Sequence, residues 1–342
     1  MFACRSDTGA SWKAVFLWAL LLWVLALAVR LPGTGRDAPQ TDELSWMRRS
    51  GRIISLIKAG NFSEATSFLW HPGIVPALVM ATGQVSAKLI KRAIRPEAGA
   101  DVQIDALRVS RISCALVSSL APAILFLLLN LAVGWQAAII GGMLAALDVQ
   151  QVAYGRIAHL DGVFSVLVLL TISTYWYAVE RNSLSAKVGA GIFWGLALAT
   201  RTFAVVLIPI FFIYKLLRMM LLPAQGDRGD RSLLSISDIW TVLIGQTLMT
   251  SIFTRMRHYP SDYKLYLWEE NSAADWIYAA GSALQGHAWL VFCFVLSGLG
   301  LLWLRSRRVE QGTPSRERRM AAFWWGLAAG YIVLTLTAFP AQ

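Results

Sequence analysis

Apolar residues along this chain form long uninterrupted runs, separated by shorter stretches that carry most of the arginine and lysine. Such runs are typical of membrane-crossing α-helices, whereas barrel strands would alternate in polarity over about 10 residues. The pattern predicts an all-α, polytopic transmembrane protein with residues 1–342 as a single transmembrane domain. The predicted spans are 14–29, 112–131, 136–149, 162–179, 188–199, 203–217, 239–253, 289–304 and 321–336, so that a loop, 31–106, separates the first span from about eight more in 107–342.

Composition agrees with this class. Hydrophobic residues make up 56% of the chain and charged residues 15%, against about 25% charged in soluble domains. The net charge is +11, but the cations lie between apolar runs and no basic face is interleaved with stacking aromatics, which argues against nucleic-acid binding. Cys4, Cys114 and Cys293 have neither the spacing of a metal site nor that of a disulfide framework.

The basic loops orient the chain in the membrane. The most basic loop, 305–319, is predicted to be cytoplasmic, as are those around 181–187 and 215–231. If the N-terminus is also cytoplasmic, an even number of crossings precedes each loop, so the apolar stretch 72–90 does not span. We interpret it as an amphipathic helix on the outer interface, although its basic end favours a crossing.

The first run, 14–29, also resembles a signal peptide. Basic residues precede it, and Ala26-Leu27-Ala28 near its end has the small-residue pattern of a cleavage site. Its length and the later spans favour a retained anchor. In both cases the chain after Arg30 emerges outside, so residues 31–106 are predicted to form an extracytoplasmic loop with amphipathic helices.

The acidic pair Asp42-Glu43 lies in this loop, shortly after the first span. In one interpretation Thr41 or Asp42 caps a helix through 44–57, with the acids near its positive end. In the other, a carboxylate serves as a general base that takes a proton from an acceptor hydroxyl. The two are compatible, because a helix start holds a base rigidly.

Other polar motifs are predicted to face the same side. His71 lies in Trp70-His71-Pro72-Gly73, where it serves as an interfacial polar group or as part of a site. Arg156, His159 and Asp161 occur together in AYGRIAHLDG, either as membrane-boundary anchors or as functional residues. The remaining candidates are Arg108, Arg111 and Arg201. Arginines at membrane interfaces usually contact lipid headgroups, but a guanidinium group also binds phosphate well, so these residues are candidates for a phosphate site.

The order of these motifs, namely DE, HPG, RVSRISCAL, GRIAHLDG and GLALATR, resembles the family 39 glycosyltransferases of the GT-C membrane superfamily. Protein O-mannosyltransferases and bacterial lipid A aminoarabinose transferases are among the relatives. The similarity covers about Arg30–Leu217, and it implies juxtamembrane helices that carry the acidic and His-Pro elements. Relatives usually continue beyond LTAFPAQ, so the resemblance also implies a fragment or a shortened member.

The resemblance implies a multi-pass enzyme of a cell membrane, the plasma membrane if the chain is bacterial, with an extracytoplasmic active site. It implies transfer of a sugar from a polyprenyl-phosphate donor to a hydroxyl of a protein, a glycolipid or a polysaccharide of the cell wall. Asp42 corresponds to the family's catalytic acid, with Glu43 beside it and Asp161 as the second acid. Asp42 would act as general base in one inverting step.

A departing phosphate needs cations, and Arg111, Arg156 and Arg201 are the candidates to bind it. His71, Arg108 and His159 are predicted to contact the substrates. HPG replaces the His-Pro-Pro of eukaryotic members, and Arg201 stands where many relatives have lysine. A divalent metal near Asp42 or Asp161 is left open, because the ligand set is too small to predict one.

Two other classes remain at this point. A transporter or flippase of lipid-linked sugars would show internal repeats and charges near the middle of broken helices, and neither is evident in the sequence. A noncatalytic subunit of a membrane assembly is the third alternative. Transfer of a labelled sugar, translocation alone, or neither distinguishes the three.

Overall fold

A computed structural model of the chain describes residues 11–61, 64, 73–95, 103–221 and 236–253, and every regular element in these residues is helical. The elements are α1 Trp12–Arg30, α2 Thr41–Lys58, α3 Ile74–Ile94, α4 Ala106–Ser118, α5 Leu120–Ala132, α6 Trp135–Leu147, α7 Val149–Gly155, α8 Leu160–Arg181, α9 Leu184–Thr200, a 3-10 helix Thr202–Val206, α10 Leu207–Leu221 and α11 Ile236–Phe253.

The helices have the length and composition of membrane spans. Within the described ranges, α1, α3, α4 with α5, and α8 are each long and apolar enough to cross a bilayer, and α6 with α7 forms a pair bent by 56°. The all-α, polytopic membrane class is therefore confirmed. The predicted spans 289–304 and 321–336 and the basic loop 305–319 lie outside the described residues.

The described chain divides into two compact units. The first contains α1 to α7, α8 as far as Tyr177, α9 from Ser185, and α11 from Trp240. The second contains Ala178–Leu184 and the described part of Phe203–Ile239.

Aromatic and small residues hold the N-terminal helices of the first unit together. Trp135, at the start of α6, packs edge-on against Trp18 of α1 and Phe126 of α5, with ring centroids 6.2 and 5.7 Å apart. Gly142 lets Leu22 of α1 approach α6 closely. The opposite face of α1 exposes Phe16 and other large apolar side chains, as expected of a helix that meets lipid on one side.

The break between α4 and α5 has a local cause. Pro122 lacks an N–H group, and its ring disfavours a regular helical carbonyl four residues earlier, at Ser118, which is the last residue of α4. The predicted span 112–131 is therefore two helical segments in the structure.

Helix α3 packs along α4 and reaches the start of α8 and the end of α9. Its start, Gly73, lies beside Leu160 at the beginning of α8, and its N–H donates to the carbonyl of Ala199 near the end of α9, at 2.8 Å. Gly83 packs against Ser113 in α4, and Lys91 donates to the carbonyl of Gln103, which precedes α4. These contacts lie at the start of α8, at the end of α9, and along the chain from Gln103 to Ser113 in α4. Helix α3 is long and apolar enough to cross a membrane, so the assignment of 72–90 to the outer interface stays a prediction.

Gly73 is required by both its backbone and its neighbours. Its φ is +151°, and a Cβ atom there would overlap the ring of Trp46 in α2. We expect Gly73→Ala to lower the free energy of unfolding by about 1–3 kcal/mol, measured by thermal or denaturant unfolding in detergent. Gly60→Ala is the control, because Gly60 also has a positive φ, +73°, but has open space around it. Equal losses in the two variants would contradict the role of the Trp46 contact.

The second unit buries an ion pair. Lys215 in α10 contacts Asp238 in α11, and both side chains are almost fully buried. Tyr214 donates to Glu180 at 2.9 Å. Lys215 was predicted to belong to a basic loop, but it lies within α10, where the counter-charge of Asp238 allows its burial. Lys187 was also assigned to a loop, but it is buried in α9 of the first unit.

Candidate functional site

The segment after α1 leads directly into the candidate site. Residues 31–40 form turns, and α2 then begins with Gln40, rather than Thr41 or Asp42, as the residue at its N-cap position. Glu43 reaches back to accept a hydrogen bond from the Gln40 N–H at 3.0 Å. The predicted helix start is therefore present, shifted by one residue, and Glu43 rather than Asp42 makes the capping contact.

Glu43 is fully buried and fully bonded. Its Oε1 accepts from the Arg111 Nε at 2.8 Å and from the Ala158 N–H at 2.7 Å. Its Oε2 accepts from the Arg111 Nη2 at 2.6 Å as well as from Gln40. Burial raises the pKa of Glu43, but the hydrogen bonds from Arg111, Gln40 and Ala158 outweigh it and hold the pKa below its usual range. The carboxylate is thus ionised at neutral pH and has its lone pairs occupied.

Arg111 is equally saturated. Besides its two bonds to Glu43, its Nη1 donates to the carbonyls of Thr34 and Asp37, each at 2.9 Å, and its Nη2 donates to that of Ala38 at 3.1 Å. A guanidinium has five N–H donors, and all five have acceptors here. The five hydrogen bonds leave Arg111 no free donor for a phosphate, and the side chain is also buried. Its evident task is to fix the segment between α1 and α2 onto α4.

Asp42, the neighbour of Glu43, points the other way. Its side chain is 76% exposed, and the nearest charged partner in the described residues is the Nε2 of His159, 3.8 Å away. His159 in turn bonds Asp161 through Nδ1 at 2.9 Å. Asp161 also pairs with Arg201, 3.0 Å from Nη1 to Oδ1. We call Asp42, His159, Asp161 and Arg201 the site string.

The site string joins four separate elements. Asp42 lies at the start of α2, Asp161 in the first turn of α8, His159 in the turn before α8, and Arg201 directly after α9. An acid in the first turn of a helix is stabilised by the positive end of the helix dipole. Acidic and basic side chains alternate along the site string, so each has a neighbour of opposite charge or a polar neighbour. This pairing orders the string, while Asp42 and Arg201 at its two ends remain exposed.

The structure thus brings together four of the predicted residues and separates others. Arg156 forms an ion pair with Asp37 at 2.9 Å and donates to the carbonyl of Pro32, so it supports the turns after α1. Arg108 is exposed and lies beside Gly35. His71 falls outside the described residues, as does Pro72.

Asp37 and the Ala158 N–H were not predicted. For Asp37 the sequence contains one signal, namely Gly33, because glycine favours turns. In the structure Gly33 adopts a φ of +81°, and the turn brings Asp37 to Arg156. For the Ala158 N–H there was no signal, because any residue type supplies the same donor.

No group of three or more His, Cys, Asp or Glu side chains within the described ranges is arranged to hold a metal ion. In the site string, His159 already bonds Asp161 through Nδ1. The described residues therefore provide no set of ligands for a divalent metal.

The structure thus gathers an exposed carboxylate, a histidine and an arginine where helices of the first unit begin or end. Residues 98–223 match the family model described as dolichyl-phosphate-mannose-protein mannosyltransferase. The match confirms the resemblance to GT-C glycosyltransferases over that segment, about a third of the chain.

The matched segment contains Arg111, Arg156, His159, Asp161 and Arg201, whereas Asp42 and Glu43 lie before it. The match supports a membrane glycosyltransferase of the GT-C type. No curated protein and no solved structure matches the chain significantly.

Proposed function

We propose that the protein transfers a sugar from a polyprenyl-phosphate donor to an acceptor hydroxyl on the extracytoplasmic face of the membrane, with inversion and with Asp42 as general base. The observation that carries this proposal is the site string, which presents one exposed carboxylate beside a histidine and an exposed arginine. The family match supports the reaction class, since its description names a lipid-phosphate-linked sugar as donor.

Asp42 is the carboxylate best suited to the role of base. Glu43 has four hydrogen bonds and no exposure, and Asp161 is shared between His159 and Arg201. Only Asp42 among these three acids combines exposure with lone pairs that accept no hydrogen bond from a described residue. A general base needs this, because it must come within hydrogen-bond distance of the hydroxyl whose proton it takes.

The reaction that follows is a single displacement. The acceptor oxygen forms a bond to the anomeric carbon as the bond from that carbon to the phosphate oxygen breaks, and the electron pair leaves with the phosphate. The acceptor proton passes to the Asp42 carboxylate. Because the phosphate departs as an anion, the site needs no acid to protonate it, in contrast to the paired carboxylates of glycosidases.

Arg201 is the guanidinium we assign to the donor phosphate. Its side chain is 42% exposed, and within the described residues Asp161 engages its Nη1 alone, which leaves other N–H donors for a phosphate. Arg108 is the second candidate, since it is exposed and makes no side-chain hydrogen bond to a described residue. Arg111 and Arg156, proposed from the sequence for the same task, are engaged by the protein and are better assigned to holding residues 31–40.

The charges of the site string argue against the transporter alternative. Coupled transporters place their charges near the middle of broken helices, whereas these groups lie where helices begin or end. The direct test is the full chain in proteoliposomes with radiolabelled polyprenyl-phosphate sugars. The proposal predicts label on an acceptor. Translocation of the donor without transfer, or neither outcome across a panel of sugars and acceptors, would refute it.

His159 has two candidate roles that kinetics can separate. The sequence suggested substrate contact, while the structure places Nε2 toward Asp42 and Nδ1 on Asp161. We assign His159 to orienting Asp42 and to accepting, at Nε2, the proton that Asp42 has taken from the acceptor. Asp161 positions the imidazole of His159. His159→Asn keeps a donor near the Nδ1 position but removes Nε2, so we expect kcat to fall about 100-fold with KM for the donor unchanged.

His159→Gln is the matched variant, since its amide lies near the Nε2 position and can still orient Asp42. We expect a smaller loss of kcat than in His159→Asn. A rise in KM at constant kcat in either variant would instead assign His159 to substrate binding, because that pattern reports the loss of uniform binding energy.

A further inference from the structure

The last two turns of α3 project beyond the packed part of the first unit. We call Lys88–Arg95 the α3 arm. Every residue from Lys88 to Arg95 is exposed, whereas α3 buries Ala77, Met80 and Gln84 earlier in its length. The burial stops abruptly, although the helix continues.

The α3 arm has two chemically different faces. At about 100° per residue, Lys88, Lys91, Arg92 and Arg95 fall on one side of the helix. Leu89, Ile90 and Ile94 fall on the other side, and they are 58%, 60% and 73% exposed. No acidic residue occurs from Ile74 to Arg95.

Exposed isoleucines beside a row of cations are costly in water and favourable at a lipid interface. There the apolar face enters the acyl boundary, and the long basic side chains extend to the headgroups. The contact between Lys91 and Gln103 agrees with an interfacial position of the arm, because Gln103 lies just before α4 enters its apolar stretch.

We propose that the α3 arm binds the headgroup phosphates of anionic phospholipids, with its apolar face in the acyl boundary. Charge complementarity selects this occupant. A second copy of this chain would bring another row of cations and a net charge of +11 against the arm, so like charges would oppose pairing. Each cation near an anionic surface adds attraction that salt weakens.

The experiment uses the full chain in nanodiscs of phosphatidylcholine that contain trace spin-labelled phosphatidylglycerol or spin-labelled phosphatidylcholine. The fraction of motionally restricted label gives the selectivity for the anionic lipid. We expect Lys88→Gln/Lys91→Gln/Arg95→Gln to lower that selectivity at least about threefold. The control Arg36→Gln/Arg48→Gln/Lys58→Gln removes the same charge from other exposed positions and should retain it.

An arm variant with unchanged selectivity, or a control that loses as much as the arm variant, would overturn the proposal. A change in the number of chains per nanodisc in the arm variant would overturn it in favour of a contact between copies. Far-ultraviolet circular dichroism of each variant verifies the helical content. Because the readout is lipid association, its result is independent of whether the protein transfers sugar.

Discussion

Asp42→Asn is expected to lower kcat for sugar transfer by about 10³-fold or more, with the protein still folded and inserted. An asparagine has nearly the shape of the aspartate but cannot take a proton from the acceptor, and general-base catalysis contributes about 10²–10⁴-fold. Loss of stability should stay within about 0.5 kcal/mol, because the side chain is mostly exposed and makes no short contact in the described residues. Single-turnover transfer by the purified variants measures the effect.

Glu64→Gln is the control for this substitution. Glu64 is also a partly exposed carboxylate of the same predicted outer loop, and it pairs with Arg52 at 3.0 Å rather than with the site string. We expect its activity to match the wild type. Transfer by Asp42→Asn at the wild-type rate would remove Asp42 from the mechanism, and an equal loss in Glu64→Gln would point to a general charge effect.

Glu43→Gln should have the second-largest effect, and the effect should be on stability. The substitution leaves the buried Arg111 guanidinium without its counter-charge, and breaking a buried pair from one side costs about 3–5 kcal/mol. Because the pKa of Glu43 is depressed, its contribution is complete above about pH 4.3 and is lost as the pH falls through the lower folded-state value. Unfolding in mixed micelles between pH 3 and 7 measures both the loss and its pH dependence.

A double-mutant cycle separates this interaction from general damage. Arg111→Met alone leaves the Glu43 carboxylate buried and unpaired, whereas Glu43→Gln with Arg111→Met leaves no uncompensated charge. We expect the double variant to be more stable than the sum of the two single losses predicts, by at least about 1 kcal/mol. Strictly additive losses would show that the two side chains do not stabilise each other.

The contrast between Asp42 and Glu43 shows what the sequence could reveal. Buried residues of α2 recur at 43, 46, 50 and 53, which is the spacing of one helical face. That spacing places Glu43 on the buried face and Asp42 beside it on the exposed face. The sequence reveals this face only in part, because two of the four buried positions, Glu43 and Ser50, are polar.

Other features depended on contacts that no local pattern encodes. The basic loops predicted that Asp42, Asp161 and Arg201 face the same side, but their direct contacts through His159 depend on how distant segments pack. The saturation of Arg111 was not predictable, because three of its acceptors are main-chain carbonyls whose positions depend on the fold of the turns after α1. The helical membrane class was predictable, because the length and apolar composition of the runs determine it.

The hydrogen bond between the Gly73 N–H and the Ala199 carbonyl ties the beginning of α3 to the stretch that leads into Arg201. Both partners are peptide groups, and every amino acid carries the carbonyl while all but proline carry the N–H. The connection can therefore persist through evolutionary replacement at position 199 without leaving any correlated substitution. An alignment of related chains would therefore not reveal this hydrogen bond between two segments that are distant in sequence.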